Sequence, residues 1–157
     1  MNKLKLSVLI CLCLFVFAQT AFAKKPAYST VSVVYLFSDD ATITMRATGV
    51  GSSQQEALDN AEKNVLDVIL FRGVPESKQK MALVSSNESM EMTKNNPYFT
   101  EFYNGNRYKS FIVSSRPNGG FTKLKGRQFQ TAADVKVNFV NLRRDLEQSG
   151  VIRKFGF

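Results

Sequence analysis

Histidine is absent from all 157 residues of the chain. Imidazole is the commonest general base near neutral pH and the most frequent metal ligand in proteins. Without it, the usual routes to acid–base catalysis and to transition-metal binding are missing. We therefore expect a protein that is not an enzyme, with no catalytic residue, no cofactor and no metal site.

Cysteine is almost as scarce, since only Cys11 and Cys13 occur. Both fall in an apolar run over residues 6–18, which has the length of a signal-peptide core and is too short to span a bilayer. The segment Ala21-Phe22-Ala23 then supplies small residues at the two positions that signal peptidase reads. We predict that residues 1–23 are a cleaved signal peptide.

Export has consequences for the rest of the chain. Ile10 and Leu12 precede the two cysteines, whereas lipidation needs a small residue there, so we expect no lipid anchor. The mature chain then holds no cysteine, which excludes disulfides, thiol nucleophiles and cysteine-bound zinc. We expect a single domain over residues 24–157, located in the periplasm or outer cell envelope, with no transmembrane segment after cleavage.

Charge is biased toward the basic side, with 21 Lys and Arg against 13 Asp and Glu, a net charge of +8. Residues 1–23 contain two lysines and no acid, so the remaining 134 residues carry +6. A surplus of this size favours a partner or surface of opposite charge.

Two strands are predicted at the start of the mature chain. Residues 30–37 are rich in Val, Tyr and Phe, and residues 41–48 alternate apolar with polar side chains. Asp39 and Asp40 lie between them, which indicates a hairpin.

A long helix is predicted over residues 54–71. Ser53 and Glu56 have the spacing of a capping box, and Arg72-Gly73 followed by a proline is a typical helix end. The small Ala57 and Ala61 would let this helix approach a sheet closely. Its polar side is predicted to carry Glu62, Lys63 and Asn64.

The second half alternates short elements. Residues 97–103 favour a short helix, residues 108–115 and 121–124 favour strands around a turn at 116–120, and residues 126–140 favour one long strand. Residues 141–148 favour a closing helix. The whole pattern predicts an α+β two-layer sandwich, with an antiparallel sheet covered by one long helix and with a short C-terminal helix.

The segment Ala47-Thr48-Gly49-Val50-Gly51, the serines after it, and the alanines at 57 and 61 resemble a known family. They are similar to the small bacterial envelope lipoproteins that include the N-terminal domain of the flagellar assembly protein FlgT. The resemblance covers residues 30–75, with a weaker fit over 108–140. It implies a non-enzymatic envelope or appendage component. This chain departs from the family in having no lipidation cysteine and in its aromatic segment at 97–108.

Six basic residues concentrate near the predicted second hairpin, between aromatic residues: Arg107, Lys109, Arg116, Lys123, Lys125 and Arg127. Nucleic acids bind such mixtures, but export leaves no nucleic acid as partner. An acidic protein surface, an anionic glycan or a lipid headgroup would fit the same patch. The alternative is that the cations are merely exposed to solvent on the outer face, while the aromatic residues fill the core.

A second candidate is the aromatic cluster of Tyr98, Phe99, Phe102 and Tyr103, which is either a contact surface or part of the core. We expect a protein-interaction or assembly module of the envelope that binds another protein through the hairpin and this cluster. The candidate interaction residues are Phe99, Phe102, Tyr103, Arg107, Lys109, Lys123 and Arg127. The alternative is a binding domain for an anionic glycan or lipid headgroup that uses the four cations of that set.

Overall fold

A computed structural model describes residues 32–154, so the predicted signal peptide lies outside the described residues. The strands are β1 (Val33–Ser38), β2 (Thr42–Gly51), β3 (Ile112–Leu124) and β4 (Gln128–Asn138). The helices are α1 (Gln54–Phe71), α2 (Glu88–Lys94), α3 (Asn96–Tyr103) and α4 (Phe139–Gln148), with a 3-10 helix at Arg107–Phe111. The predicted α+β sandwich is confirmed.

The sheet has the strand order β1-β2-β4-β3, and every neighbouring pair is antiparallel. Directly opposed residues point to the same face. Three such pairs join buried side chains at the centre of the sheet: Ile43 with Val137, Met45 with Val135, and Ala47 with Ala133. These pairs face the helices, and they explain why the alternation in both strands is so regular.

Helix α1 begins and ends where the sequence predicts. The Ser53 hydroxyl accepts a hydrogen bond from the Glu56 amide at 3.1 Å, as in a capping box. The Glu56 carboxylate, however, accepts from the amide of Ser52 at 2.7 Å rather than from Ser53. The cap therefore includes Ser52, one residue before Ser53, and it connects the start of the helix to the end of β2.

The backbones of α1 and β2 are in close contact at two glycines. A Cβ atom added to Gly49 would lie 2.0 Å from the carbonyl oxygen of Ala57 and 2.4 Å from the amide nitrogen of Ala61. One added to Gly51 would lie 2.6 Å from the amide nitrogen of Ala57. Only glycine fits at these positions, because the obstructing atoms belong to helix backbone.

Two asparagines of α1 complete this contact. The Asn60 side chain donates to the carbonyl of Val50 at 2.7 Å, and Asn64 donates to the carbonyl of Thr48 at 2.9 Å. Within residues 32–154, the pairing between β1 and β2 reaches Thr48, whose amide donates to the Ser32 carbonyl at 3.1 Å. The two asparagine side chains supply partners for the carbonyls of Thr48 and Val50 at this end of β2. The prediction that Asn64 lies on the polar side of the helix is wrong, because the residue is buried and its side chain bonds the backbone of β2.

The second half of the sheet differs from the prediction. Residues 107–111 form the 3-10 helix rather than a strand. Strand β3 then continues through the predicted turn at 116–120, where Gly119 and Gly120 form an irregularity in its pairing with β4. The actual turn is Lys125-Gly126-Arg127. Two positive-φ glycines inside a strand thus mark a bulge, which has the same sequence signature as a turn.

Within residues 32–154, no helix is both long enough and apolar enough to cross a membrane.

We predict that Gly49→Ala lowers the free energy of unfolding by about 3 kcal/mol or more, because a methyl group cannot fit without separating α1 from β2. Urea unfolding at equilibrium measures this. The control is Thr48→Ala, on the opposite face of the same strand, which should cost less than about 1 kcal/mol. Equal unfolding midpoints for the two variants would show that the contact is not tight.

Candidate functional site

The predicted aromatic cluster lies in the core. Phe99 and Phe102 have no exposed surface, and their rings contact one another and neighbouring aromatic rings. Tyr103 is partly buried, and its hydroxyl donates to the Asp67 carboxylate of α1. Burial and this carboxylate raise the pKa of Tyr103 well above its usual value. These residues hold the segment after α1 against the body of the protein, and they do not form an exposed contact surface.

Two of the predicted basic residues are neutralised by acids. Arg107 forms an ion pair with Asp145 of α4 and lies over the Tyr98 ring, 5.6 Å from its centre. Lys109 forms an ion pair with Asp59 of α1 at 2.7 Å. Their charges are compensated within the molecule, so both residues serve the attachment of the 3-10 helix.

The four predicted cations do not form one site. Ile112 and Lys123 pair with Val137 and Phe129 of β4, which are eight residues apart. At about 3.3 Å per residue, the two ends of β3 are about 26 Å apart. The 3-10 helix that holds Arg107 and Lys109 comes before Ile112, at the opposite end from Lys123.

Three of the six basic residues near the predicted hairpin lie on the end of the β3–β4 hairpin, residues 118–130, which we call the arm. It contains Lys123, Lys125 and Arg127 and no acidic residue. All three side chains are exposed, and none forms an ion pair within residues 32–154. The arm is therefore a projecting surface of one sign of charge.

The backbone of Arg127 adds a second observation. Its φ of 61° lies in the left-handed region, which favours glycine or asparagine. Among residues 32–154, the other non-glycine residue with positive φ is Asn106, a residue type that suits the conformation. Arginine at this turn position costs about 1 kcal/mol relative to glycine.

A groove runs beside the arm on the helix-facing side of the sheet. Its volume is about 640 Å³, and it lies between residues 52–55 at the start of α1 and the inner face of the arm. The apolar part of its lining is Leu58, Pro117, Phe121 and Phe129. At this end of the sheet α1 lies over β2, so the neighbouring strands remain uncovered there. Phe121 and Phe129 consequently keep part of their surface exposed.

The prediction that Glu62 lies on the polar side of α1 is wrong, because the residue is only 6% exposed. Burial raises the pKa of Glu62 above its ordinary value of 4.5, while the Ser115 hydroxyl and the Lys109 ammonium group act in the opposite direction. The helical spacing indicates this burial: Glu62 is four residues from both Leu58 and Leu66, so it shares their face of the helix.

Within residues 32–154, no three acidic side chains lie close enough together to hold a metal ion. Searches against models of protein families, against curated proteins and against solved structures find no match to this chain.

We predict that Glu62→Gln stabilises the protein at pH 7 by about 1 kcal/mol, because the buried carboxylate no longer has to be ionised. A raised pKa means that the stabilisation by Glu62 is complete below pH 4.5 and is lost as pH rises through the folded-state pKa. The gain should therefore vanish near pH 4. Urea unfolding at both pH values tests this, with the exposed Glu76→Gln as control. A gain of equal size at both values would contradict the assignment to ionisation.

We predict that Arg127→Gly raises the free energy of unfolding by up to about 1 kcal/mol, because glycine relieves the left-handed backbone. The control is Lys125→Gly, which removes the same charge from the same loop at a residue whose φ is not positive. Urea unfolding compares the two. A lower stability for Arg127→Gly than for Lys125→Gly would show that the turn holds no strain.

Proposed function

We propose that this chain is an exported, non-enzymatic protein of the cell envelope that binds another protein through the arm. The observation that carries the proposal is the set of three uncompensated cations on a projecting hairpin, one of them at a backbone position that suits glycine. The export signal in the sequence and the resemblance to envelope lipoproteins support the location. The function remains that of an interaction or assembly module, with the arm in place of the aromatic cluster.

The expected partner surface is acidic. Exposed ion pairs contribute about 0.2–1 kcal/mol each, so three cations together change affinity by roughly threefold to 150-fold. Exposed charges are also screened by salt over about 8 Å at physiological ionic strength. Binding through the arm should therefore be fast, and it should weaken as salt is added.

An anionic glycan or lipid headgroup is the second candidate. The unpaired charges of Lys123 and Arg127 favour it, but Arg107 and Lys109 are paired with acids at the other end of β3 and would not take part. A single headgroup would therefore contact the arm alone. The protein partner is preferred because the cations stand beside a groove with an apolar lining, which a polar headgroup leaves unused.

The test replaces Lys123, Lys125 and Arg127 by Glu in residues 24–157. The control is Lys80→Glu, Arg153→Glu and Lys154→Glu, which changes the net charge equally at exposed residues outside the arm. Each protein carries a photo-crosslinking residue at Thr122, and crosslinked partners from envelope extract are quantified. We expect the arm variant to give at least about tenfold less of one crosslinked protein partner than the unmodified protein. The control variant should give the same amount as the unmodified protein.

Retention of the partner by the arm variant, or equal loss in both variants, would contradict the proposal. Co-sedimentation with anionic and neutral vesicles is measured in parallel. Arm-dependent sedimentation with anionic vesicles only, together with no arm-dependent protein crosslink, would replace the proposal by the headgroup candidate.

A further inference from the structure

The groove beside the arm has an apolar lining where the rest of the arm is polar and charged. Phe121 and Phe129 lie on the helix-facing side of the sheet, yet both keep exposed surface. A volume of about 640 Å³ is within the range of sites that take a small ligand or several side chains. Residues 32–154 leave this space unfilled.

The cations of the arm lie beyond one end of the groove. Lys123 is paired directly with Phe129, so its side chain leaves the strand on the same face as the phenylalanine. Lys125 and Arg127 follow in the loop. The apolar lining at Phe129 is therefore directly beside Lys123, and the turn that holds the other two cations follows at the end of the hairpin.

A second copy of this chain is a poor occupant, because it would bring two arms of positive charge together. Addition of a partner strand to the free edge of β3 is also disfavoured. Pro117 has no amide hydrogen to donate, and pairing irregularities around Val113 and at Gly119 interrupt the edge. Recognition must then come from side chains that enter the groove.

We propose that the groove takes an apolar side chain from a short acidic segment of the partner protein, with Phe121 and Phe129 as its walls and Lys123, Lys125 and Arg127 contacting the flanking carboxylates. This inference rests on the proposed function and specifies the ligand of the same arm. Burial of one phenylalanine contributes about 1.5–3 kcal/mol, so the apolar residue supplies a large part of the affinity.

The test is an NMR titration of residues 24–157 with three pentapeptides. The first has a central phenylalanine between pairs of glutamates, the second has alanine in place of the phenylalanine, and the third has lysines in place of the glutamates. We expect the first peptide to shift the amide resonances of residues 52–55 and 121–129. We expect the alanine peptide to bind at least about fivefold more weakly and the lysine peptide not to bind.

Phe121→Ser should weaken the first peptide by at least about fivefold, because it removes one wall of the groove. The matched control is Val113→Ser, which removes an apolar side chain that is 55% exposed on the same strand. Amide spectra of both variants report whether the fold is kept. Phe121→Ser could perturb the fold. In that case Phe129→Leu, which keeps an apolar wall, is used instead, and the alanine peptide then tests whether an apolar side chain binds in the groove.

Equal affinity for the phenylalanine and alanine peptides, or no shift at residues 52–55 with any peptide, would overturn the groove inference. That result would leave the proposed function in place as long as partner crosslinking still depends on the arm cations. Loss of that dependence would overturn the proposed function itself, whatever the peptides do.

Discussion

The contact between the backbones of α1 and β2 fixes the arrangement of this protein. Gly49 and Gly51 leave no room for a Cβ atom, so the helix can lie on the strand in only one position along its length. Asn60 and Asn64 then donate from their side chains to the carbonyls of Val50 and Thr48 in β2. Close packing and hydrogen bonding thus support the same register, and displacement of the helix would leave buried polar groups unsatisfied.

The arm follows from where this contact lies. Because α1 is held over β2 and begins right after it, the first turn of the helix leaves the neighbouring β3–β4 hairpin uncovered at that end of the sheet. The inward-facing phenylalanines of the hairpin then line a groove rather than a core. The glycines that hold α1 on β2 therefore also position the first turn of the helix that borders the groove.

Charges are sorted by position along the hairpin. At the body of the protein, Arg107 and Lys109 meet acids of α4 and α1 and serve stability. On the arm the cations have no acid to meet, and their mutual repulsion is tolerated because the side chains are exposed to solvent and screened by salt. The same residue types therefore have different uses, decided by which helix lies within their reach.

Sequence determined the elements whose signals are local: the limits of α1, the cap at Ser53, the β1–β2 hairpin and the α+β class all follow from short-range pattern. Of the candidate site, it identified the cations but not which of them are paired, since Asp59 and Asp145 are distant in the chain. Only tertiary structure placed Phe99 and Phe102 in the core, buried Glu62, turned Gly119-Gly120 into a bulge and opened the groove. Each of these depends on which surfaces meet, and local pattern does not record contacts between residues far apart in sequence.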